Sequence, residues 1–124
     1  MLQDLPVAAA IATSNLQRAR QFYEGVLGLK SPRETPDGVQ YECGGSTGFL
    51  LYQSGFAGTA KNTVLGWRAD NFDTVIGDLR ARGVVFEEYD FPGLKTVNGV
   101  AEFGGEKAVW FKDPDGNILS VSTV

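Results

Sequence analysis

The feature that most restricts how this chain can fold is an internal repeat. Asn15 is followed by Leu16, Ala19, Tyr23 and Val26 at helical spacing, with Phe22 beside them, and then by Gly28. Asn71 is followed by Phe72, Val75, Ile76 and Leu79, and then by Gly83. In both copies the asparagine reads as a helix N-cap and the glycine as a stop. An apolar run precedes each helix, Pro6–Thr13 in the first copy and Thr63–Ala69 in the second. Pro36 lies as far beyond Asn15 as Pro92 lies beyond Asn71.

The repeat predicts strand–helix–strand–strand–strand twice. The first copy has strands at Pro6–Thr13, near Lys30–Glu34, at Val39–Cys43 and at Phe49–Gln53. The second has strands at Thr63–Ala69, Val84–Tyr89, near Lys107–Phe111 and at Ile118–Thr123, with a longer loop after Pro92. The whole chain, 1–124, reads as one domain, with a first module over about 5–54, a linker over about 55–62 and a second module over about 63–124. Each module alone would leave one sheet face bare. Two together can build an α+β fold with one curved, mixed eight-stranded sheet, helices on its convex face and a cavity on its concave face.

Turn chemistry supports this division. Thr35-Pro36-Asp37-Gly38 is a turn in which glycine is expected to take the left-handed position. Asp113–Asn117 (DPDGN) demands a tight hairpin that fixes the register of the last two strands. Gly44–Gly48 and Gly104–Gly105 lack the strand–loop–helix setting of a phosphate loop and read as hairpin turns.

Composition narrows the chemistry. There is no histidine, which removes the Ser-His-Asp triad, the Cys-His pair and the commonest nitrogen ligand of zinc, iron or nickel. A net charge of −4 argues against a nucleic-acid partner and favours neutral or cationic ligands. No apolar run approaches the ~20 residues of a membrane span, and the N-terminus lacks the basic start of a signal peptide. The single cysteine, Cys43, excludes an internal disulfide, fits a reducing cytoplasm and reads as a small buried hydrophobe.

Strand alternation sorts side chains onto two faces. Ala9, Ile11, Phe49, Leu51, Leu65, Trp67, Leu119 and Val121 share the face that helices should cover. Ala8, Ala10, Ala12, Leu50, Tyr52, Val64, Gly66, Arg68, Ile118, Ser120 and Ser122 share the other, which suits the floor of a small-molecule site. Arg68 is read as a holder of a carboxylate or flat ligand, or as a solvated strand end paired with Asp70 or Glu42. Tyr52 is a ligand donor or a rim aromatic. Trp110 and Phe56 are pocket walls or packing residues. Glu102, in the loop after Pro92, could close over a cavity or be solvated. The acidic run Glu87, Glu88 and Asp90 reads as a solvated strand edge.

Three segments carry a family resemblance: SNLQRARQFYEGVLGL (Ser14–Leu29), ADNFDTVIGDLRARGV (Ala69–Val84) and WFKDPDGNILSV (Trp110–Val121). In this order and spacing they resemble the vicinal oxygen chelate superfamily of glyoxalase I, bleomycin-resistance proteins and extradiol dioxygenases. The resemblance implies a binding cavity in the curved sheet and a homodimer. In metal-dependent relatives, ligands come from four strand positions, which fall here at about Ala8, Leu50, Val64 and Ser120. None of these is a competent ligand, and neither are their immediate neighbours. The expectation is therefore a protein without metal or other cofactor that binds a small, partly apolar molecule. The alternative is a metal-dependent lyase, isomerase or dioxygenase, or a metal-independent enzyme using Glu102, Tyr52 or Arg68.

Overall fold

The computed structural model describes all residues, 1–124. The chain divides into two compact units, Met1–Ala57 and Gly58–Val124.

The first unit holds strands β1 (Ala9–Thr13), β2 (Arg33–Glu34), β3 (Gly38–Cys43) and β4 (Thr47–Gln53), in the sheet order β1-β4-β3-β2. β1 and β4 are parallel, with Ile11 opposite Leu51; β4, β3 and β2 form an antiparallel meander. Helix α1 (Leu16–Arg20) makes the crossover. Asn15 caps it by accepting the Arg18 amide at 3.0 Å. The helix then widens into a π-helical turn over Gln21–Val26, in which the Leu27 amide reaches back to the Phe22 carbonyl at 2.9 Å. This turn buries Tyr23 against Tyr41 and Phe49, with ring centroids 6.2 and 5.6 Å apart. It also sets Glu24 between Arg20 and Tyr41, each donating to Glu24 Oε2 at 2.7 Å. Burial pushes the Glu24 carboxyl up, but the hydrogen bonds from Arg20 and Tyr41 outweigh it and hold the group below its ordinary value. The Tyr41 phenol is raised, first by burial and then by its bond to Glu24.

The second unit repeats this plan and extends it. Its strands are β5 (Thr63–Arg68), β6 (Asp90–Phe91), β7 (Leu94–Val97), β8 (Val100–Phe103), β9 (Glu106–Lys112) and β10 (Ile118–Ser122), in the order β5-β10-β9-β8-β7-β6. β5 and β10 are parallel and joined through α2 (Phe72–Ala81), which buries Phe72, Ile76 and Leu79. The face expected to lie under the helices is the buried one. Ile11, Phe49, Leu51, Leu119 and Val121 are buried, and Ala9, Leu65 and Trp67 are half-buried. Each large buried side chain contributes about 1.5–3 kcal/mol.

The DPDGN turn anchors the end of the second unit. Asp113 is buried; its Oδ1 accepts the Asp115 and Asn117 amides at 3.0 and 2.9 Å, and its Oδ2 accepts Asn117 Nδ2 at 2.8 Å. Asn117 in turn accepts the Gly58 amide at 3.1 Å, so the start of the unit is tied to its last hairpin. The closing turn therefore fixes more than the register of β9 and β10.

Several expectations are corrected. β1 begins at Ala9, leaving Pro6–Ala8 exposed ahead of it. β2 is confined to Arg33–Glu34, because Pro32 has no amide to give a ladder and Ser31 has a positive φ of 54°. Gly38 is not left-handed; it is buried at the start of β3, where a Cβ would strike the Leu51 carbonyl oxygen. Asn71 holds the N-cap position without a side-chain cap bond. Val84–Tyr89 is not a strand. Only Glu87 reaches the β9 backbone, through Trp110 O at 2.8 Å, while the Tyr89 amide is taken by the Thr96 hydroxyl at 2.8 Å. The stretch after Pro92 is not a loop but the antiparallel run β7–β8–β9. Asn98 and Gly99, with φ of 52° and 78°, make the first of its tight turns, a dipeptide signal legible in the sequence. The chain therefore has ten strands in two mixed sheets, not eight.

Three consequences can be measured. Tyr41→Phe should lower stability by about 1–2 kcal/mol in urea unfolding, the scale of a hydrogen bond to a charged group. Because the Glu24 carboxyl is depressed in the folded state, its contribution is present above its unfolded value and is lost as pH falls through the folded one. Glu24→Gln should therefore flatten the acid limb of the stability curve while leaving its slope near neutrality unaltered. Asp113→Ala, which strands two buried donors of Asn117 and the Asp115 amide, should cost about 2–3 kcal/mol.

Candidate functional site

The helices leave one face of each sheet bare, and the sequence-derived site residues are distributed over these faces by strand register. In the first unit, Ala10 pairs with Leu50 and Ala12 with Tyr52, so Leu50 and Tyr52 stand together on the face opposite Phe49 and Leu51. Both are half-buried. Ala8 precedes β1 and lines a cleft of about 330 Å³ with Pro6, Val7, Arg33, Gln40, Glu42, Cys43 and Gly48 among its walls. Cys43 is half-buried there, more open than expected.

In the second unit, Ser120 faces Gly66 on one side and Trp110 on the other, and Ser122 faces Arg68 and Ala108. Val64 falls where the β5–β10 register shifts, between the Thr63–Ile118 and Leu65–Leu119 pairs. The Trp110 indole N–H donates to Thr63 Oγ1 at 3.1 Å. Since Trp110 is on β9 and Thr63 on β5, the ring spans the intervening β10. Tyr89 packs edge-on against it, with centroids 5.6 Å apart and planes at 74°. Lys112 and Glu87 form an ion pair at 3.2 Å beside them. Burial, and then the Glu87 charge, raise the Tyr89 phenol.

Sequence reasoning named Trp110 and Ser120 but missed Thr63, Tyr89 and Lys112, whose proximity depends on pairings across β9, β10 and the irregular 84–89 segment. The acidic run is not simply solvated: Glu87 holds Lys112, and Glu88 accepts the Gly99 amide. Arg68 is exposed and forms no ion pair, so its expected pairing with Asp70 or Glu42 is not found. Glu102 is not on a loop; it is exposed on β8, opposite Lys107 and away from the Trp110 row. Phe56 is 80 % exposed.

The four positions that the resemblance aligns with metal ligands carry three apolar side chains and one hydroxyl. Ala8, Leu50 and Val64 have no donor atom, and Ser120 is a weak ligand protonated at neutral pH. No three Cys, Asp or Glu side chains come together elsewhere in a way that could hold a metal ion. These residues do not fit a metal centre. No helix is long and apolar enough to cross a membrane.

Thr63→Val should release the indole. The Trp110 N–H resonance should move upfield and exchange faster with water, with a stability loss of no more than about 1 kcal/mol.

Comparison with known proteins agrees with the geometry. The family model described as Glyoxalase/Bleomycin resistance protein/Dioxygenase superfamily matches residues 6–121. No curated protein matches the sequence. Among solved structures, UcmS2 superposes with a TM-score of 0.72 at 15% identity, covering 94% of this chain and 96% of its own. A lactoylglutathione lyase from Agrobacterium tumefaciens gives 0.67 at 21% identity, with coverage of 95% and 92%. TnmS3, an antibiotic binding protein from Streptomyces sp. CB03234, gives 0.60 at 20% identity, with 94% of each chain covered. At these identities the structures establish the fold alone.

Proposed function

The chain belongs to the glyoxalase/bleomycin resistance protein/dioxygenase superfamily, and from that premise we propose that it is a metal-free member that binds a small, partly apolar molecule on the helix-free faces of its sheets. The observation that carries this reading is the donor set. Where metal-dependent relatives place ligands, this chain has Ala8, Leu50, Val64 and Ser120. A divalent ion gives up tightly bound water on entering a site, and only charged or lone-pair donors repay that loss. Alanine and leucine in the first unit and valine in the second favour apolar ligand surfaces, with Tyr52 on the first sheet, and Ser120, Arg68 and Trp110 on the second, supplying sparse polar and aromatic contacts.

No step that needs a metal is assigned to these residues. Sequestration of a compound is the activity they support, in keeping with the antibiotic binding described for TnmS3. As a working picture, the protein is a cytoplasmic homodimer with no nucleic-acid partner, consistent with its single cysteine and its net charge of −4.

Two measurements test this. Elemental analysis of protein purified without a histidine tag should find only trace zinc, nickel or iron. A thermal-shift screen of metabolites and antibiotics should yield compounds that raise the melting temperature equally with and without chelator, since a ligand of the native state alone stabilises it. About one metal per chain, removable with loss of an activity, would establish the metal-dependent alternative instead.

A further inference from the structure

The bare face of the second sheet is selective in shape and charge. Trp110, Ser120 and Gly66 lie in one row across β9, β10 and β5. The indole reaches across β10 to Thr63 and is braced by Tyr89. Next to it Gly66 is exposed and carries no side chain of its own, and the Ser120 hydroxyl leans over it. The glycine is needed there: a Cβ would stand 2.6 Å from Ser120 Oγ, so any larger residue would crowd the hydroxyl. One pleat further along the same face stands Arg68, opposite Ser122.

Arg68 is the cation of this face left without an ion pair, while Glu106 keeps its carboxylate charge. Lys112 and Glu87 neutralise each other at 3.2 Å. Glu106, further along β9, is turned onto the Thr123 hydroxyl. Arg68 is exposed and has no ion pair. The net charge of −4 pulls the other way at long range. Physiological salt screens it beyond roughly 8 Å, whereas a guanidinium in contact with a carboxylate makes two parallel charged hydrogen bonds.

The dimensions set the ligand's size. The indole already covers the gap between β9 and β10, so the stretch beside it runs from Ser120 to Gly66, one interstrand gap of roughly 4.8 Å. Arg68 lies two residues beyond Gly66, roughly 6.6 Å along the strand and within reach of its own side chain. A flat body of about two fused rings fits the row beside the indole, with an acidic group at the arginine end.

Resting on the small-molecule reading above, we propose that this face takes a planar two-ring aromatic acid, its rings against Trp110 over Gly66 and Ser120 and its carboxylate on Arg68. Aromatic rings gain from the indole beyond the area they bury, and a Cβ-free floor admits a flat body where a branched one would clash. The Ser120 hydroxyl is placed to meet a ring substituent.

The test is calorimetric titration with three probes that share one ring system: 2-naphthoate, 2-naphthamide and 2-naphthylmethylammonium. The Trp110 indole resonance, assigned with Trp67→Phe, provides a second readout. The naphthoate should bind best and shift that resonance. Arg68→Gln, an exposed change that leaves the fold alone, should weaken the naphthoate roughly ten- to hundredfold, as for a lost charged hydrogen bond, and leave the naphthamide unaffected. Gly66→Ala should weaken both, and Gly66→Ala with Ser120→Gly should recover the naphthamide. Binding of the ammonium probe as tight as that of the acid would overturn the proposed ligand class. So would indifference of the naphthoate to Arg68→Gln, or no binding of any probe to folded protein. A chelator-insensitive hit of other chemistry in the thermal-shift screen would meanwhile leave the small-molecule reading standing.

Discussion

Two strands that run the same way cannot be joined by a tight turn; the chain must leave the sheet, cross over one face and return. That constraint acts twice here, at β1 with β4 and at β5 with β10. In each unit the crossover carries a helix, and the helix brings its apolar stripe to one face only. Ile11, Phe49 and Leu51 in the first unit, and Val109, Phe111, Leu119 and Val121 in the second, are buried on that face. The opposite face keeps its small, polar and aromatic residues uncovered by helix, and every candidate for function among the strand residues of β4, β5, β9 and β10 lies there. The position of the bare faces follows from strand direction before any side chain is considered.

Most charged and hydrogen-bonding groups in strong contacts are committed to architecture. Arg20, Glu24 and Tyr41 bind the π-helical turn to β3. Asp113 and Asn117 close the last hairpin and hold Gly58. Glu88 and Arg80 both grip the turn between β7 and β8, through the Gly99 amide and the Asn98 carbonyl. A group engaged in this way is a poor acid, base or ligand, because using it would cost the contact. What remains on the bare face is the aromatic pair Trp110 and Tyr89, the hydroxyl of Ser120 and the unpaired Arg68. Such a set offers an aromatic surface, a hydroxyl and a cation.

Much of the architecture was legible from residues a few positions apart. Asn15 and Gly28 mark a helix, and DPDGN marks a turn, because capping and left-handed backbone are decided within a single loop. The apolar face was legible from alternation. Legibility failed where a local signal met a competing long-range partner. The Val84–Tyr89 run has strand composition, but the Thr96 hydroxyl takes the Tyr89 amide and Glu88 turns to Gly99, so no regular ladder forms. Gly38 looked like a turn glycine and is instead a point of close backbone approach to β4. Glu102 looked like a loop residue because Gly104-Gly105 was read as a hairpin turn without its partner turn at Asn98-Gly99, on the other side of β8.

By itself, the sequence determined the doubled strand–helix order, the helix stops and the final turn. Each of these depends on residue identity and near neighbours. Tertiary structure alone decided which side chains share a row. Trp110, Ser120 and Gly66 are far apart in the chain and meet only because β9, β10 and β5 pair in one register. Register is a property of two strands at once, and no single stretch of sequence contains it.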